Sequence, residues 1–282
     1  MGSGFEHAAL AVFTTLAPMG AASFIVLAYS FIAGKPDVEA AKRLDRWTAV
    51  PAVVMVAGFI GAFMHLASPL NAFGVFAGVG SSPLSNEIVV GLVFAVAALV
   101  YWVLALAGKL SGGARNGFLV VLSVLALAFA VFCGLAYMMD TIPTWNTPLS
   151  IVQMVGYALA GGAVLGFCVV GLAHVEMPKG APAVALVLVL AGVLVGAIGF
   201  GAQIAGLDGI CNIWGSAATL VPAIWGLFGT FAVCGIVAAG LTYAAGKKAF
   251  SPAFMVVACV IVAVGIFVAR IGFYGLYMGV AL

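Results

Sequence analysis

Charged residues are scarce in this chain of 282 residues: Asp, Glu, Lys and Arg together make up 6% of it. Soluble domains carry about 25% charged residues. Because 66% of the residues are hydrophobic, a folded globule of this size could not cover its surface with so few charges. The composition excludes a cytoplasmic enzyme, a nucleic-acid-binding protein and a disordered chain. We therefore expect most of the chain to lie in a lipid bilayer.

The chain also lacks clustered metal ligands. Its five cysteines stand singly without a CxxC pair, whereas an iron–sulfur cluster needs about four clustered thiolates. Its three histidines are His7, His65 and His174, and they do not supply the two imidazoles on facing helices that a membrane b-type haem requires. We therefore expect no haem, no iron–sulfur cluster and no metal in this chain.

Long apolar runs are what the sequence has instead. A helix needs about 20 mostly apolar residues to cross the hydrocarbon core. Such runs lie at 8–33, 48–67, 86–107, 117–139, 149–173, 182–206, 222–245 and 252–279. They predict an all-α polytopic membrane protein, in which residues 1–282 form a single integral membrane domain built as a bundle of eight helices. Glycine pairs at four-residue spacing, Gly162/Gly166 and Gly192/Gly196, predict close helix packing.

The charges in the connections predict the orientation of the bundle. Nine of the ten basic residues lie in the connections after the first, third, fifth and seventh runs: Lys35, Lys42, Arg43, Arg46, Lys109, Arg115, Lys179, Lys247 and Lys248. The other side, which includes both termini, has no basic residue and carries Glu6, Glu87, Asp140 and Asp208. By the positive-inside rule, both termini face outward.

The tenth basic residue, Arg270, lies inside the last run. A charge within a span costs about 2.5–3.5 kcal/mol on insertion scales, so a functional or ion-pairing role is the first hypothesis. Tyr274 and Tyr277 follow at i+4 and i+7 on the same helical face. The alternative is an arginine that extends toward the outer headgroups beside interfacial tyrosines.

His65 and Glu87 are the other candidate site residues. His65 lies in the last turn of the second run, because Ser68 and Pro69 should end the helix there. Glu87 opens the third run, so both residues are expected at the outer surface, where an imidazole and a carboxylate are suited to proton transfer. Each also has a simpler interpretation: Glu87 as an acid that complements a helix N-terminus, and His65 as an interfacial polar residue.

The polar connections between the apolar runs give weaker indications of function than the candidate site residues. Two outer segments, 140–145 and 208–214, end in Trp145 and Trp214 and indicate either interfacial turns with tryptophan anchors or a docking surface for an external partner. The inner segment between Gly34 and Trp47 carries both signs of charge and is expected to be a solvated amphipathic connector.

Four segments together resemble the membrane anchor subunit of bacterial dimethyl sulfoxide reductase. They are residues 65–73 (HLASPLNAF), 85–87 (SNE), 143–145 (PTW) and 270–278 (RIGFYGLYM). The opening Gly2-Ser3-Gly4 is similar too, and the layout of eight spans with both ends outside matches throughout. No segment is decisive by itself; their order and spacing carry the resemblance.

The resemblance implies a non-catalytic subunit of the bacterial cytoplasmic membrane that oxidises menaquinol for anaerobic respiration. Its implied partners on the outer face are an iron–sulfur electron-transfer subunit and a molybdopterin catalytic subunit, and the latter selects the terminal acceptor. The implied menaquinol site contains His65 and Glu87, where the quinol is deprotonated as two electrons leave. Arg270 and Tyr274 are implied to contact the quinone oxygens.

Two positions depart from the family pattern. Members often have an acidic residue one turn before the last-span arginine, where this chain has Ile266. They also often have Asn-Arg where this chain has Ala77-Gly78. The first departure removes one ion-pair partner of Arg270, and the second removes a basic residue from the outer connection.

Two other functions are weighed against this one. A haem-free quinol subunit of polysulfide-reductase type shares the eight spans and an outer partner, but the segments 85–87 and 273–275 favour the dimethyl sulfoxide reductase type. A small-solute transporter is disfavoured, because the sequence has few charged residues at mid-membrane depth and no evident pair of broken helices.

Overall fold

The computed structural model describes residues 2–65, 69–213, 215–247 and 251–280. Within these residues, eight segments are helical, long and apolar enough to cross a membrane, which confirms the predicted all-α bundle. The helices are α1 (Gly2–Glu6), α2 (Ala8–Gly34), α3 (Val38–Trp47), α4 (Ala49–Met64), α5 (Pro83–Leu106), α6 (Gly112–Leu135), α7 (Leu149–Leu172), α8 (Ala181–Ala205), α9 (Ile224–Lys247) and α10 (Pro252–Gly275). The second span combines α3 and α4, and the connection after α8 contains a short hairpin of β1 (Cys211–Asn212) and β2 (Gly215–Ser216). A 3-10 helix, Pro69–Gly78, leads from the described end of α4 toward α5.

Capping residues explain why two of the spanning helices, α5 and α6, begin earlier than predicted. Helix α5 begins at Pro83, because the Ser82 hydroxyl accepts a hydrogen bond from the Ser85 backbone N–H at 3.4 Å and proline suits the first helical position. Helix α6 begins at Gly112, because the Ser111 hydroxyl accepts one from the Ala114 N–H at 3.3 Å. Hydropathy predicts that a spanning helix begins where the apolar run begins. The capping serine instead starts the helix a few residues earlier, in the polar connection.

Helices α2 and α7 form the centre of the bundle. In the most apolar part of each, 78% of the residues are buried, against 28–39% in the other six spans. Glycines let α7 approach its neighbours: a Cβ on Gly162 would lie 2.6 Å from the Cβ of Ala22 on α2. A Cβ on Gly192 of α8 would lie 2.4 Å from the backbone nitrogen of Ala160 on α7. The predicted role of the glycine pairs in close packing is confirmed.

The basic end of the bundle is held together by a buried ion pair. The prediction of a solvated connector before Trp47 is wrong in part, because the segment forms helix α3 and buries Asp45. This carboxylate accepts hydrogen bonds from the Tyr101 hydroxyl at 2.7 Å and from Arg115 Nη2 at 2.9 Å. Arg43 donates to the carbonyl oxygen of Ala173 at 3.1 Å. Three of the connections with basic residues therefore meet at one end.

The opposite end brings the two chain ends together. Gly4 of α1 packs against the last turns of α10, and Val280 donates a backbone hydrogen bond to Thr141 at 3.0 Å. The prediction that Trp145 is an interfacial anchor is wrong: its ring stacks on Phe273 at 5.3 Å, and its Nε1 donates to the Phe273 carbonyl oxygen at 2.9 Å. The second predicted anchor, Trp214, lies outside the described residues.

Candidate functional site

Arg270 is fully buried near the C-terminal end of α10. Its Nε donates a hydrogen bond to the Thr14 hydroxyl of α2 at 2.9 Å. Its guanidinium carbon lies 4.1, 4.8 and 4.9 Å from the ring centroids of Phe273, Tyr274 and Tyr137, distances at which cation–π attraction acts. The alternative of an arginine that extends to the headgroups is therefore wrong, because the guanidinium lies inside the bundle.

Two further donors of this guanidinium, Nη1 and Nη2, are buried without a hydrogen-bond partner in the described part of the chain. Buried polar groups are normally hydrogen-bonded, since an unpaired one costs free energy. The Tyr157 hydroxyl is also buried without a partner among these residues and lies within electrostatic range of Arg270. The interior around Arg270 is thus rich in donors and suited to oxygen atoms.

Glu87 is buried, with 1% of its surface exposed, and the expectation that it lies at the outer surface is wrong. The reason is the earlier start of α5 at Pro83, which carries Glu87 into the second turn and the bundle interior. Its neighbours are the Cys133 thiol of α6 and, by charge interaction, Arg270. Its Oε1 atom has no hydrogen-bond partner within the described residues.

This placement of Glu87 resolves one departure from the family pattern. Ile266, one turn before Arg270, is fully buried and supplies no charge. Glu87 on another helix lies within electrostatic range of Arg270. The arginine therefore keeps an acidic residue nearby, without a direct ion pair between the two side chains.

His65 follows the last residue of α4 and is exposed. Its ring centroid lies 5.6 Å from that of His7, which stands between α1 and α2. His65 and Glu87 are thus placed in different surroundings, an exposed imidazole and a buried carboxylate.

Tyr274 links the buried and exposed parts of this region. Its hydroxyl is hydrogen-bonded to the Tyr137 hydroxyl and lies 3.4 Å from that of Thr14. Burial, together with the neighbouring Tyr274, raises the pKa of Tyr137, so that its hydroxyl stays protonated at neutral pH. On the other side, the Tyr274 ring lies 5.6 Å from His7. Tyr277, by contrast, is 49% exposed.

Sequence reasoning misses His7, Thr14, Tyr137 and the burial of Trp145. Thr14 is a hydroxyl residue within an apolar run, a weak signal because such hydroxyls commonly bond their own helix. Tyr137 follows α6 by two residues and has the composition of an interfacial aromatic. His7 precedes the first apolar run, so hydropathy gives no reason to place it in a site. Only the packing of α1, α2, α6 and α10 brings them together.

A lipid-facing groove runs between α4 and α5; His65 follows the last residue of α4, and Glu87 lies near the start of α5. Its volume is about 450 Å³, and its walls include Ala52, Val56, Phe59, Ala95 and Leu99. At about 1.5 Å per residue, the groove begins about 9 Å from His65 and about 12 Å from Glu87 along the helices. Phe59 closes this end, where it packs against Gly91.

A larger cavity of about 900 Å³ lies at the basic end, between the connection from α7 to α8 and the end of α9. Its walls include Lys179 and Lys247 and none of the four predicted site residues. This cavity and the candidate site are therefore at different ends of the bundle.

The family model described as DMSO reductase anchor subunit (DmsC) matches residues 1–276. Two proteins of Escherichia coli (strain K12) are similar over 100% of this chain and 99% of their own length. The C subunit of anaerobic dimethyl sulfoxide reductase is 34% identical over 291 aligned positions, and the YnfH subunit of an anaerobic dimethyl sulfoxide reductase is 28% identical over 287. The C subunit of the Haemophilus influenzae reductase is 29% identical over 167 positions, 59% of this chain and 60% of its own length. No solved structure matches.

Proposed function

The chain belongs to the DMSO reductase anchor subunit (DmsC) family, and from this premise we propose that it binds menaquinol and oxidises it at the outer face of the membrane. The family and the eight spanning helices make it a multi-pass membrane anchor subunit of a reductase complex of this type. Menaquinol oxidation, its site, the partner subunits and the bacterial cytoplasmic membrane are the proposal. The whole-chain match favours this function over a polysulfide-reductase type subunit or a transporter.

The observation that carries the proposal is the burial of Glu87 and Arg270 within electrostatic range of each other, near the outer end of the spans. Menaquinol releases two protons and two electrons as it becomes menaquinone. A carboxylate accepts a proton from a quinol hydroxyl, and a guanidinium donates hydrogen bonds to the oxygen on which negative charge develops. Free atoms of both kinds, Glu87 Oε1 and Arg270 Nη1 and Nη2, are buried there without partners in the described part of the chain.

The remaining predicted residues fit around this pair. Tyr274 supplies a buried hydroxyl next to Arg270, and His65 supplies an exposed imidazole from which a proton reaches the outer water. An imidazole suits this last step because one ring nitrogen can accept a proton while the other donates one. We assign Glu87 and His65 to proton transfer, and Arg270 and Tyr274 to the quinone oxygens.

The groove between α4 and α5 supports a lipid-soluble substrate. Its walls are apolar, it faces the hydrocarbon, and it lies on the helices that carry His65 and Glu87. We assign it to the isoprenoid tail of menaquinol, since burying apolar surface there is favourable. The ring would then enter past Phe59 toward Glu87.

The proposed partners are an iron–sulfur subunit, which takes the electrons, and a molybdopterin catalytic subunit, both on the outer face. The E. coli relative is named as one lettered subunit of its reductase, which implies that this reductase has others. Phe73 in the connection after α4 and Ile213 in the hairpin are 80% and 79% exposed at this end. Both residues lie outside the spanning helices, and we assign them to the surface that a partner covers.

The test uses the assembled complex with the conservative variants Glu87→Gln and His65→Asn. We expect each variant to co-purify with its partners and to lose quinol-linked turnover by about 100-fold or more, the range of a general acid or base. Reduction of the terminal acceptor by an artificial electron donor, which bypasses this subunit, should persist. His174→Asn and Glu39→Gln, both at the basic end, are the matched controls. Loss of activity with both donors would show that Glu87 and His65 are structural.

A further inference from the structure

His7 occupies a position between the exposed and the buried parts of the candidate site. It lies between α1 and α2, at the end of the bundle where the chain ends meet. Its ring centroid is 5.6 Å from that of His65 and 5.6 Å from that of Tyr274. Trp145 at 6.4 Å and Tyr277 at 6.3 Å complete the surroundings of the ring. The imidazole thus touches one exposed and one fully buried member of the site.

The state of this imidazole suits a proton acceptor. His7 is half-buried, and its Nδ1 atom is buried without a hydrogen-bond partner among the described residues. The titratable groups that face it are Glu6 of α1, His65 after α4, and Tyr274 and Tyr277 of the α10 end. Burial and the neighbouring His65 lower the pKa of His7, and Glu6 opposes this effect. At neutral pH the ring is therefore uncharged and has one nitrogen free to accept a proton.

Tyr274, the ring neighbour of His7, is one member of a hydroxyl pair. The Tyr274 hydroxyl is hydrogen-bonded to that of Tyr137, and both rings pack around the guanidinium of Arg270. Within a hydrogen-bonded pair, one hydroxyl takes up a proton as the other releases one. The contacts therefore run in one sequence, from the interior near Arg270 through the two tyrosines to His7 and then to His65.

We propose that His7 is a second proton-transfer residue of this subunit, which receives a proton from the Tyr137–Tyr274 pair and passes it to His65. The inference rests on the proposed oxidation of menaquinol. A quinol hydroxyl gives its proton to one tyrosine oxygen, and the pair releases one proton to His7, so both tyrosines end the step protonated. The imidazolium of His7 then gives this proton to His65 and returns to the neutral form. The electrons leave to the iron–sulfur partner, and no tyrosine is oxidised.

Two proton acceptors, Glu87 and His7, match the two protons of the quinol. Glu87 lies beside Cys133 and Arg270, whereas His7 lies beyond the tyrosine pair on the side toward the water. The distance of 5.6 Å between the ring centroids of His7 and Tyr274 allows their edges to meet directly or through one water. Each proton therefore has its own route, one to Glu87 and one through the tyrosine pair to His7, and the site does not depend on one carboxylate for both.

The test compares His7→Phe, which keeps an aromatic ring and removes the titration, with His174→Phe at the basic end, in the assembled complex. We expect His7→Phe to lower quinol-linked kcat about 10-fold or more, with KM for the quinol and turnover from an artificial donor unchanged. In the unmodified complex, quinol-linked kcat should fall as the pH drops, because protonated His7 cannot accept a proton. Quinol-linked kcat of the His7→Phe complex should therefore fall less steeply with decreasing pH than that of the unmodified complex.

Each outcome decides one of the two proposals. Unchanged kcat and pH profile in His7→Phe, with the Glu87→Gln complex inactive toward quinol, would overturn the role of His7 and leave the quinol site standing. Equal losses with quinol and artificial donor, or a raised KM with unchanged kcat, would show a packing role for His7 and overturn the proposal. Absence of quinol oxidation by the unmodified complex would instead overturn the proposed function itself.

Discussion

Arg270 shows how one charge is accommodated inside an apolar bundle. Its guanidinium is stabilised by three aromatic rings and by the Thr14 hydroxyl. A planar guanidinium can stack on rings and donate in its own plane at once, which an ammonium cannot do. The same contacts that stabilise the charge leave two of its nitrogen atoms directed to the interior without partners among the described residues.

The coupling between Arg270 and Glu87 can be measured by a double-mutant cycle. Arg270→Met and Glu87→Met should each lower the thermal midpoint of the protein in lipid nanodiscs, because removing one partner of a buried pair costs about 3–5 kcal/mol. The double variant should lose less than the sum of the two, because no uncompensated charge remains. Additive losses would contradict the pairing. Ile266→Met, a buried apolar exchange in the same helix, is the control.

At the scale of elements, small residues decide how closely the helices approach. Helix α7 contacts α2 and α8 through backbone surfaces that a single methyl group would separate. Because α2 carries Thr14 and α6 carries Cys133, both packed around this centre, the spacing of the helices fixes the distances in the site. A glycine far from Arg270 therefore contributes to its geometry.

Gly192→Ala and Gly226→Ala form a matched pair that tests this spacing. The first adds a Cβ 2.4 Å from the Ala160 nitrogen, whereas the second, in α9, adds one with nothing within 4 Å. We expect Gly192→Ala to destabilise the protein by about 1–3 kcal/mol, the cost of overpacking. Gly226→Ala should be neutral or stabilising, because alanine is the better helix former. Thermal unfolding in nanodiscs measures both, and equal effects would contradict the role of close packing.

At the scale of the whole molecule, charge separates the two ends of the bundle. The end with Arg43, Asp45 and Arg115 is bound by ion pairs and backbone hydrogen bonds, whereas the candidate site lies toward the other end. By the positive-inside rule, we propose that the site faces outward. Protons from the quinol and protons consumed by an outward catalytic subunit would then share one compartment, so the complex would build no gradient.

Proteoliposomes with a pH-sensitive dye test this polarity. During menaquinol oxidation, we expect protons to appear on the side of the membrane that carries the partner subunits. Complexes that carry Glu87→Gln should give no signal and serve as the control. Release of protons on the side opposite to the partner subunits would contradict the proposed polarity.

The spans and the unusual arginine could be predicted from the sequence, whereas the contacts of the site could not. An apolar run long enough for the hydrocarbon core is a local property, and so is the cost of a charge within it. The burial of Glu87 depended on a serine cap that hydropathy does not register. The contact of His7 with His65 and Tyr274 joins residues that are 58 and 267 positions apart in the sequence, and no local pattern encodes it.

The sequence by itself determined that this protein has eight spans, how its basic residues are distributed among the connections, and which family it resembles, because bilayer thickness and charge act on consecutive residues. Only the tertiary structure decided that Glu87 faces the interior, that the guanidinium lies among three aromatic rings, and that two imidazoles meet at one end. Those arrangements depend on where capped helices begin and on how closely the helices pack at small residues. Such packing joins residues that are distant in the sequence, so no single segment determines it.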